Sequence, residues 1–267
     1  MLAVERRRRI LDALQRDGTV RVASLAAELG VSEMTVRRDL DTLDDREALH
    51  KVHGGAVSRH NRGEEPWSAI KATQQRTEKV AIAHTALELV EDGMTVAISA
   101  GTTTLELARL LVERASITVV TNSISIFQEL TDPQRPQSSS TPEVFLTGGS
   151  RTPSDALVGP LADAALSTFR VDVSFLGVHG VDPEAGLTTP NIAVAQTNRL
   201  LVDIGRSLVV LADHTKYLEV GANVIAPLSR VDTLVTDAAL TEPARTELSG
   251  HICDLRVAPV DHDRTRP

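Results

Sequence analysis

Six short, strongly apolar segments lie between residues 94 and 237, and they constrain the fold more than any other feature of the sequence. Each is five to seven residues long and rich in Val, Ile and Leu, which is typical of strands buried on both faces of a sheet. Most of the intervening segments are long enough for a helix, so the pattern predicts an α/β fold with a mainly parallel sheet. The six segments span 94–99, 117–121, 143–147, 171–177, 207–213 and 231–237.

Small, polar or glycine-containing residues follow five of these predicted strands, at the edge where open α/β sheets bind ligands. The segment from Gly101 to Thr104 is the best defined, because it opens a predicted helix over 105–112 whose free N–H groups and hydroxyls favour an anion. Lys216 follows a later strand and provides a matching positive charge. Gly and Thr are also common in ordinary turns, so it is the recurrence at five strand ends that favours a site. The predicted ligand-binding residues are Ser99, Gly101, Thr102, Thr103, Thr104, Asn122, Gly148, Gly149, His179, Asp182 and Lys216.

Cofactor and metal motifs are missing from these strand ends. No G-x-G-x-x-G or P-loop spacing occurs there, which argues against a dinucleotide or a nucleoside triphosphate. His179, Asp213 and His214 lack the spacing of a metal site. We therefore expect neither a cofactor nor a metal.

Three helical patterns precede this region. The first spans 4–15, the second spans 22–29 and stops at Gly30, and the third begins at Ser32, a favourable N-cap, and runs to about residue 46. Two short helices joined by a glycine-containing turn are typical of a helix-turn-helix. Residues 48–57 contain spaced apolar positions and a Gly54-Gly55 pair, which predicts a β-hairpin, the wing of a winged helix-turn-helix.

Two adjacent arginines, Arg37 and Arg38, lie in the third predicted helix, outside its apolar stripe of Val36, Leu40 and Leu43. In a winged helix-turn-helix this helix lies in the DNA major groove, where Arg pairs with guanine or holds a phosphate. A solvated helix face would explain an isolated pair of arginines, but the glycine turn, the Ser cap and the wing favour DNA contact. The predicted DNA-binding residues are Ser32, Thr35, Arg37, Arg38, Lys51 and His53.

Charge is unevenly distributed along the chain. The formal net charge of −8 argues by itself against nucleic acid as a partner. Residues 1–62, however, carry twelve Lys and Arg against ten Asp and Glu, whereas the remainder carries sixteen against twenty-six. The acidic balance therefore does not exclude DNA binding by the first part. Four of its basic residues, Arg6 to Arg9, are consecutive, and at most two can share a helix face, so we expect one or two to contact phosphate.

The overall composition is that of a soluble globular protein, with 42% hydrophobic and 24% charged residues. No apolar run reaches the roughly 18 residues of a membrane span, and no apolar stretch behind the basic N-terminus resembles a signal peptide. The single cysteine, Cys253, cannot form an internal disulfide. We expect a cytoplasmic protein with no membrane partner.

The sequence from Arg6 to Val57, with "VSEMTVRRDL" followed by "HGGAV", resembles the N-terminal domain of the DeoR family of bacterial transcriptional regulators. Most of residues 75–237 also resembles that family's effector domain, which is similar in fold to ribose-5-phosphate isomerase. The resemblance implies a Rossmann-like sensor in which "GTTT", "TN", "GG", "GVHG" and "DHTK" line a pocket for a phosphorylated sugar or related metabolite. The chain departs from the family where Ser99 replaces a common acidic residue and Val194 replaces a common glutamate.

The leading hypothesis is a DNA-binding repressor of carbohydrate-metabolism genes that is not an enzyme. A phosphorylated sugar or related metabolite would release it from its double-stranded DNA operator. The alternative is a sugar-phosphate isomerase or deaminase with an accessory DNA-binding domain, but an isomerase needs a positioned base, and only Asp182 and Asp213 are acidic at these strand ends. A DNA-binding protein that senses no ligand is a third hypothesis, motivated by Ser99 and Val194.

The predicted organisation has four parts. We expect a winged helix-turn-helix domain over 1–57, a linker over 58–74, an effector-sensing and oligomerisation domain over 75–260, and a disordered tail over 261–267. Residues 251–260 contain a candidate last strand. Because one helix-turn-helix of this size reads only a few base pairs, we also expect a homodimer or homotetramer.

Overall fold

The computed structural model describes residues 3–17, 19–44, 48–52, 54–57, 68–112, 114–133 and 142–259. The chain divides into two compact units, residues 1–61 and residues 62–267. His53, the first ten residues of the predicted linker and the predicted tail lie outside the described residues. No helix in the described segments has both the length and the apolar character that crossing a membrane requires.

The described residues of the first unit form three helices and a small antiparallel sheet. Its elements are α1 (Ala3–Asp17), β1 (Thr19–Arg21), α2 (Val22–Leu29), α3 (Glu33–Asp44), β2 (His50–Val52) and β3 (Gly55–Val57). The sheet order is β1-β3-β2, so the predicted hairpin of β2 and β3 is confirmed and gains β1 as a third strand. The three-residue β1 was not predicted, because it is too short to show an alternating pattern.

The turn between α2 and α3 forms as the sequence indicates. Gly30 adopts a left-handed conformation with φ 63° and ends α2, a conformation that glycine reaches without a steric cost. The Ser32 hydroxyl then accepts a hydrogen bond from the Thr35 N–H at 3.2 Å and caps α3. Val36 and Leu40 are fully buried with Ile10 of α1, so apolar burial fixes which face of α3 is left exposed.

The second unit is an α/β fold with three sheets. Its first half comprises α4 (Ser68–Thr73), α5 (Arg76–Leu87), β4 (Thr95–Ile98), α6 (Thr102–Leu111), β5 (Thr118–Thr121), α7 (Ile124–Leu130), β6 (Glu143–Leu146), β7 (Ser150–Arg151) and β8 (Leu157–Val158). Its second half comprises α8 (Pro160–Ser167), β9 (Val171–Gly177), β10 (Gly180–Asp182), β11 (Gly186–Thr189), α9 (Ile192–Ile204), β12 (Gly205–Leu211), β13 (Asn223–Ala226), β14 (Thr233–Asp237), α10 (Glu242–Ser249) and β15 (Asp254–Ala258).

A seven-stranded parallel sheet forms the centre of this unit, in the order β15-β14-β12-β9-β4-β5-β6. All six predicted strands belong to it, and β15 is the candidate strand within 251–260. Alternate residues of β12 enter two different cores: Leu208 and Val210 pack with α8, α9 and α10, whereas Val209 and Leu211 pack with α5, α6 and α7. Helices on both faces explain why these strands are apolar throughout.

The strand order reverses beside β4. The chain proceeds from β4 outward to β5 and β6, and then returns to place β9 on the other side of β4. The crevice outside the carboxyl ends of two such strands is the usual ligand site of an open α/β sheet. The strand order therefore predicts a ligand site at the segments that follow β4 and β9.

Three additions to this core were not predicted. The antiparallel sheet β10-β11-β13 and the two-stranded sheet β7-β8 are built from strands of two to four residues. In addition, residues 68–73 of the expected linker form helix α4. The helix packs against α6, so this part of the expected linker is helical and belongs to the second unit.

Candidate functional site

The exposed face of α3 is the candidate DNA interface. Arg37 is about half exposed and pairs with Glu33 at 2.8 Å, a surface contact between residues one turn apart. Arg38 is exposed, and its guanidinium makes no hydrogen bond or ion pair with the described part of the chain. Both predicted arginines are thus directed to solvent on the helix that a winged helix-turn-helix places in the major groove.

The two predicted hydroxyl residues lie at the start of this helix. Ser32 and Thr35 contact each other through their hydroxyl oxygens at 2.9 Å, in addition to the cap described above. Met34, which was not predicted, is 66% exposed between them. An exposed apolar side chain on a recognition helix can contact the methyl group of thymine, and the spacing of Met34, Arg37 and Arg38 on one face was the signal that could have identified it.

A buried carboxylate accounts for half of the arginine run in α1. Asp39 of α3 is only 4% exposed, and Arg6 donates a hydrogen bond from Nε to its Oδ2. Arg7 lies beside the other oxygen, with Nε 3.2 Å from Oδ1. These two arginines therefore hold α1 against α3, whereas Arg8 and Arg9 are exposed and remain candidates for phosphate contacts.

The wing contributes one described candidate. Lys51 is exposed and pairs with the exposed carboxylate of Asp41 on α3. Surface pairs of this kind contribute about 0–1 kcal/mol, so the ammonium group can exchange Asp41 for a phosphate at little cost.

A polar cavity lies where the sheet order reverses. The segments after β4, β9 and β12 form one side, the end of β11 and helix α9 form another, and helix α4 with the start of α5 completes it. Five of the residues predicted from the strand ends line it: Gly101, Thr102, Thr103, His179 and Lys216. The cavity therefore brings together residues that are far apart in the sequence of the second unit.

Helix α6 begins at this cavity. Its first N–H groups have no partner within the helix, and the side chains of Thr102 and Thr103 line the cavity beside them. Thr104 has a different role: its hydroxyl lies 2.7 Å from the Ser99 carbonyl oxygen and 2.9 Å from that of Gly101. A Cβ on Gly101 would lie 2.9 Å from that hydroxyl oxygen, so a larger residue at this position would require the Thr104 side chain to shift.

Three lysines and one aspartate among the described lining residues supply charge to the cavity: Lys71, Lys79, Lys216 and Asp213. Lys79 of α5 is only 4% exposed, and its ammonium donates to the carbonyl oxygens of Lys71 at 2.5 Å and Gln74 at 2.7 Å. Burial lowers the pKa of Lys79 to about 8; Asp213 opposes this shift and Lys216 adds to it. The ammonium group of Lys216 makes no hydrogen bond or ion pair with the described residues. In the sequence, Lys79 lies on a helix that precedes all of these strands, so the pattern of residues at the strand ends did not predict it.

Helix α9 presents two neighbouring residues to the cavity, Val194 and Asn198. They are four positions apart and so lie one helical turn from each other. Asn198 is only 4% exposed, yet its side-chain amide makes no hydrogen bond with the described part of the chain. Buried amides nearly always have partners, which makes Asn198 a candidate ligand contact that the sequence analysis missed.

Six of the predicted ligand-binding residues do not line this cavity, because their polar groups are used within the fold. Ser99 is fully buried and accepts a hydrogen bond from the Gly177 N–H at 2.9 Å. Asn122 accepts from the Ala100 N–H at 2.9 Å and donates to the Leu157 carbonyl at 3.1 Å. Thr104 closes the turn at Gly101, as described above.

The remaining three of these six form turns. Asp182 accepts hydrogen bonds from the backbone N–H groups of Glu184 and Ala185 at 2.9 and 2.7 Å. Gly148 and Gly149 adopt positive φ angles of 73° and 116°, and a Cβ on Gly149 would lie 2.6 Å from a backbone oxygen of β8. These three residues shape turns and do not line the cavity.

A histidine–aspartate pair lies beside the cavity at the same sheet edge. His214 Nδ1 is 3.0 Å from Asp237 Oδ1; Asp237 is fully buried and the His214 side chain is 27% exposed. The hydrogen bond that the His214 ring donates to Asp237 raises the pKa of His214, although burial opposes it. Because Asp237 also accepts from the His214 N–H at 2.7 Å, the pair fixes the segment that carries Asp213 and Lys216.

A winged helix-turn-helix, followed on the same chain by an α/β unit with a polar cavity, defines a DNA-binding transcriptional regulator. Residues 6–62 match the family described as the DeoR-like helix-turn-helix domain. Residues 74–238 match the family described as the DeoR C terminal sensor domain. The chain therefore belongs to the DeoR family.

Similar proteins extend along nearly the whole chain. The HTH-type transcriptional regulator GlpR of Haloferax volcanii is 37% identical over 249 residues, which cover 93% of this chain and 95% of that protein. The glycerol-3-phosphate regulon repressor of Escherichia coli strain K12 is 27% identical over 258 residues, covering 96% and 100%. A solved structure of D-ribose-5-phosphate isomerase in complex with phospho-erythronic acid covers 54% of each chain at 20% identity, with a TM-score of 0.38.

Proposed function

We propose that this regulator represses carbohydrate-metabolism genes and is released from its operator when a phosphorylated sugar or related metabolite binds the cavity. One observation carries the effector half of the proposal. The first turn of α6 and three lysines, Lys71, Lys79 and Lys216, line one cavity, and Asp213 supplies the one carboxylate among the described lining residues. A helix N-terminus and ammonium groups both favour an anion.

A phosphate group suits this arrangement better than a neutral sugar does. Phosphate monoesters carry about −1.5 to −2 charge at neutral pH, which matches the three ammonium groups and one carboxylate among the described lining residues. In our proposal the phosphate accepts hydrogen bonds from the first turn of α6 and from Thr103, and Lys216 closes over it. Asp213 is less available to a ligand, because its Oδ1 already accepts hydrogen bonds from the N–H and the hydroxyl of Thr215.

The names of relatives support the same proposal. One similar protein is a repressor of a glycerol-3-phosphate regulon, and this chain covers all of it. Repression, and a regulon named for a phosphorylated compound, are therefore compatible with a chain of this organisation. We transfer both to this protein as a proposal and leave the effector's carbon skeleton open.

An isomerase with this fold would need a base in the cavity. Asp213 is the only acidic residue among the described residues that line it, and Asp182, the other acidic candidate, caps a turn instead. We therefore propose that the chain is not an enzyme and that the cavity binds its ligand without converting it.

Operator recognition requires more than one copy of the chain. A single recognition helix reads a few base pairs, so we propose a homodimer or homotetramer that contacts repeated half-sites about one helical turn apart. The proposed assembly uses residues 75–260, which leaves α3 available to DNA. We place this function in the cytoplasm, where bacterial operators lie.

The DNA half of the proposal is tested by changing Arg38 to Ala in the full chain. We expect affinity for an operator selected from random duplexes to fall by about 1–3 kcal/mol if the guanidinium contacts a base. Arg230→Ala, an equal charge change at an exposed position of the second unit, is the control and should bind as wild type. Equal affinities of the two variants in gel shifts would refute the interface. The effector half is tested by whether a phosphorylated compound releases the operator while its unphosphorylated parent does not.

A further inference from the structure

The balance of donors and acceptors in the cavity restricts the ligand beyond its phosphate. The charged groups among its described lining residues are the ammonium groups of Lys71, Lys79 and Lys216 and the carboxylate of Asp213. An ammonium group only donates hydrogen bonds, and an ionised carboxylate only accepts them. The cavity therefore offers many donors and few charged acceptors.

Lys79 retains one donor for a ligand. An ammonium group has three N–H bonds, and the carbonyl oxygens of Lys71 and Gln74 take two of them. Because Lys79 is almost completely buried and lines the cavity, its third N–H is shielded from bulk water and is directed to a ligand in our proposal. An acceptor group on the ligand is its natural partner.

Asn198 of α9 adds a second donor. The residue is 4% exposed and lines the cavity, and its side-chain amide makes no hydrogen bond with the described part of the chain. Val194, one turn earlier on α9, is 8% exposed and carries no charge. A ligand group that approaches α9 here therefore meets an amide beside an apolar side chain. The one carboxylate among the described lining residues, Asp213, lies after β12 and not on α9.

A hydroxyl-rich ligand gains less from this lining than a carboxylate does. Each hydroxyl of a polyol brings a donor that needs an acceptor, and the acceptors among the described lining residues are uncharged apart from Asp213. A carboxylate brings acceptors only, and its hydrogen bonds to ammonium groups are charge-assisted and therefore stronger than bonds between neutral groups.

We propose that the effector is a phosphorylated carboxylic acid, whose phosphate binds the first turn of α6 and whose carboxylate binds Lys79 and Asn198. The inference rests on the proposed function, since it presupposes that a phosphorylated ligand occupies the cavity. It adds that the ligand carries a carboxylate in addition to its phosphate. Val194 is compatible with this second anionic group because its side chain carries no charge.

Matched ligand pairs test the inference by isothermal titration of the full chain. Each pair shares a carbon skeleton and a phosphate and differs in a carboxylate against a hydroxymethyl group. The pairs are 3-phosphoglycerate with glycerol 3-phosphate, 5-phosphoribonate with ribitol 5-phosphate, and 6-phosphogluconate with glucitol 6-phosphate. In the pair of suitable length we expect the acid to bind about tenfold or more tightly than the alcohol.

Two substitutions of Val194 separate charge from size. Val194→Glu should reverse the preference for the acid by about tenfold or more, because it places a like charge beside the bound carboxylate and adds an acceptor. Val194→Gln has nearly the same size without the charge and should retain the preference. Asn198→Asp should also weaken binding of the acid, since it exchanges the amide donor for a repelling oxygen.

The outcomes are distinct. If an alcohol binds as tightly as its acid in wild type, or if Val194→Glu and Val194→Gln behave alike, the carboxylate is not recognised and the inference is wrong, although a phosphorylated effector stands. If the phosphorylated compounds bind no better than gluconate and glycerol, the proposed function itself fails. Binding of the acid alone, lost in Val194→Glu and kept in Val194→Gln, supports both.

Discussion

Asp39 provides a test of how the DNA-binding unit is held together. Changing Asp39 to Asn keeps the shape of the side chain and removes the charge that Arg6 and Arg7 contact. Asp41→Asn is a matched control on the same helix, because it removes an equal charge from an exposed side chain paired only at the surface. The two variants have the same net charge, so a difference between them reports the buried contacts.

The magnitude follows from burial. Removing one partner of a fully buried ion pair costs about 3–5 kcal/mol. The side chains of Arg6 and Arg7 keep 12% and 23% exposure, so water can solvate them in part. We therefore expect Asp39→Asn to destabilise the unit by about 2–4 kcal/mol, and Asp41→Asn by about 0–1 kcal/mol.

Hydrogen exchange of the full chain, followed by mass spectrometry of peptides from α1 and α3, measures this locally. A loss of 2–4 kcal/mol lowers amide protection about 30- to 1,000-fold, and peptides from α5 and α9 should be unchanged. Equal protection in Asp39→Asn and Asp41→Asn would refute the claim that the buried carboxylate joins α1 to α3. The first two arginines of the run would then be available to DNA, as the sequence pattern allowed.

Two further predictions concern pH. The pKa of Lys79 is lowered to about 8, so affinity for the phosphorylated ligand should fall as pH rises from 7 to 9 and the ammonium group loses its charge. Lys79→Met should bind the ligand more weakly than wild type at pH 7 and should not show this fall. A parallel pH dependence of affinity in the two proteins would exclude Lys79 as a contact. Asp237 raises the pKa of His214, so the pair contributes stability that is complete below the unfolded histidine value of about 6.5 and is lost as pH rises through the folded value. The melting temperature of His214→Gln should therefore lie further below wild type at about pH 5.5 than at about pH 8.5, and equal differences at both pH values would contradict the role of Asp237.

Local patterns were sufficient for the main elements. The helix-turn-helix was predictable because Gly30 and Ser32 determine where α2 ends and where α3 begins, and these are properties of a few adjacent residues. The parallel sheet was predictable because strands covered on both faces are apolar throughout. The strands of two to four residues in the smaller sheets were missed, since they carry too few side chains to show a period.

The cavity was only partly predictable, because its lining depends on tertiary packing. The sequence indicates that strand ends meet at one edge, and this reasoning leads to Thr103 and Lys216. It does not indicate which polar groups are used within the fold, as Ser99 and Asn122 are. Lys79 lies on α5, the helix that follows the expected linker, and it reaches the cavity only through tertiary packing. No local sequence pattern predicts that a lysine on this helix lines the cavity.

Release from the operator is the most direct test of the effector proposal. The measurement is fluorescence anisotropy of a labelled operator bound to the full chain, titrated with phosphorylated acids, phosphorylated alcohols and their unphosphorylated parents. We expect a phosphorylated compound to weaken operator binding about 5- to 150-fold in wild type, the range of typical coupling energies. Thr103→Ala and Lys216→Ala should bind the free operator as wild type does and require far more ligand for release. Release by unphosphorylated parents at the same concentrations, or release of both variants at the wild-type concentration, would contradict an anion site formed by α6 and Lys216.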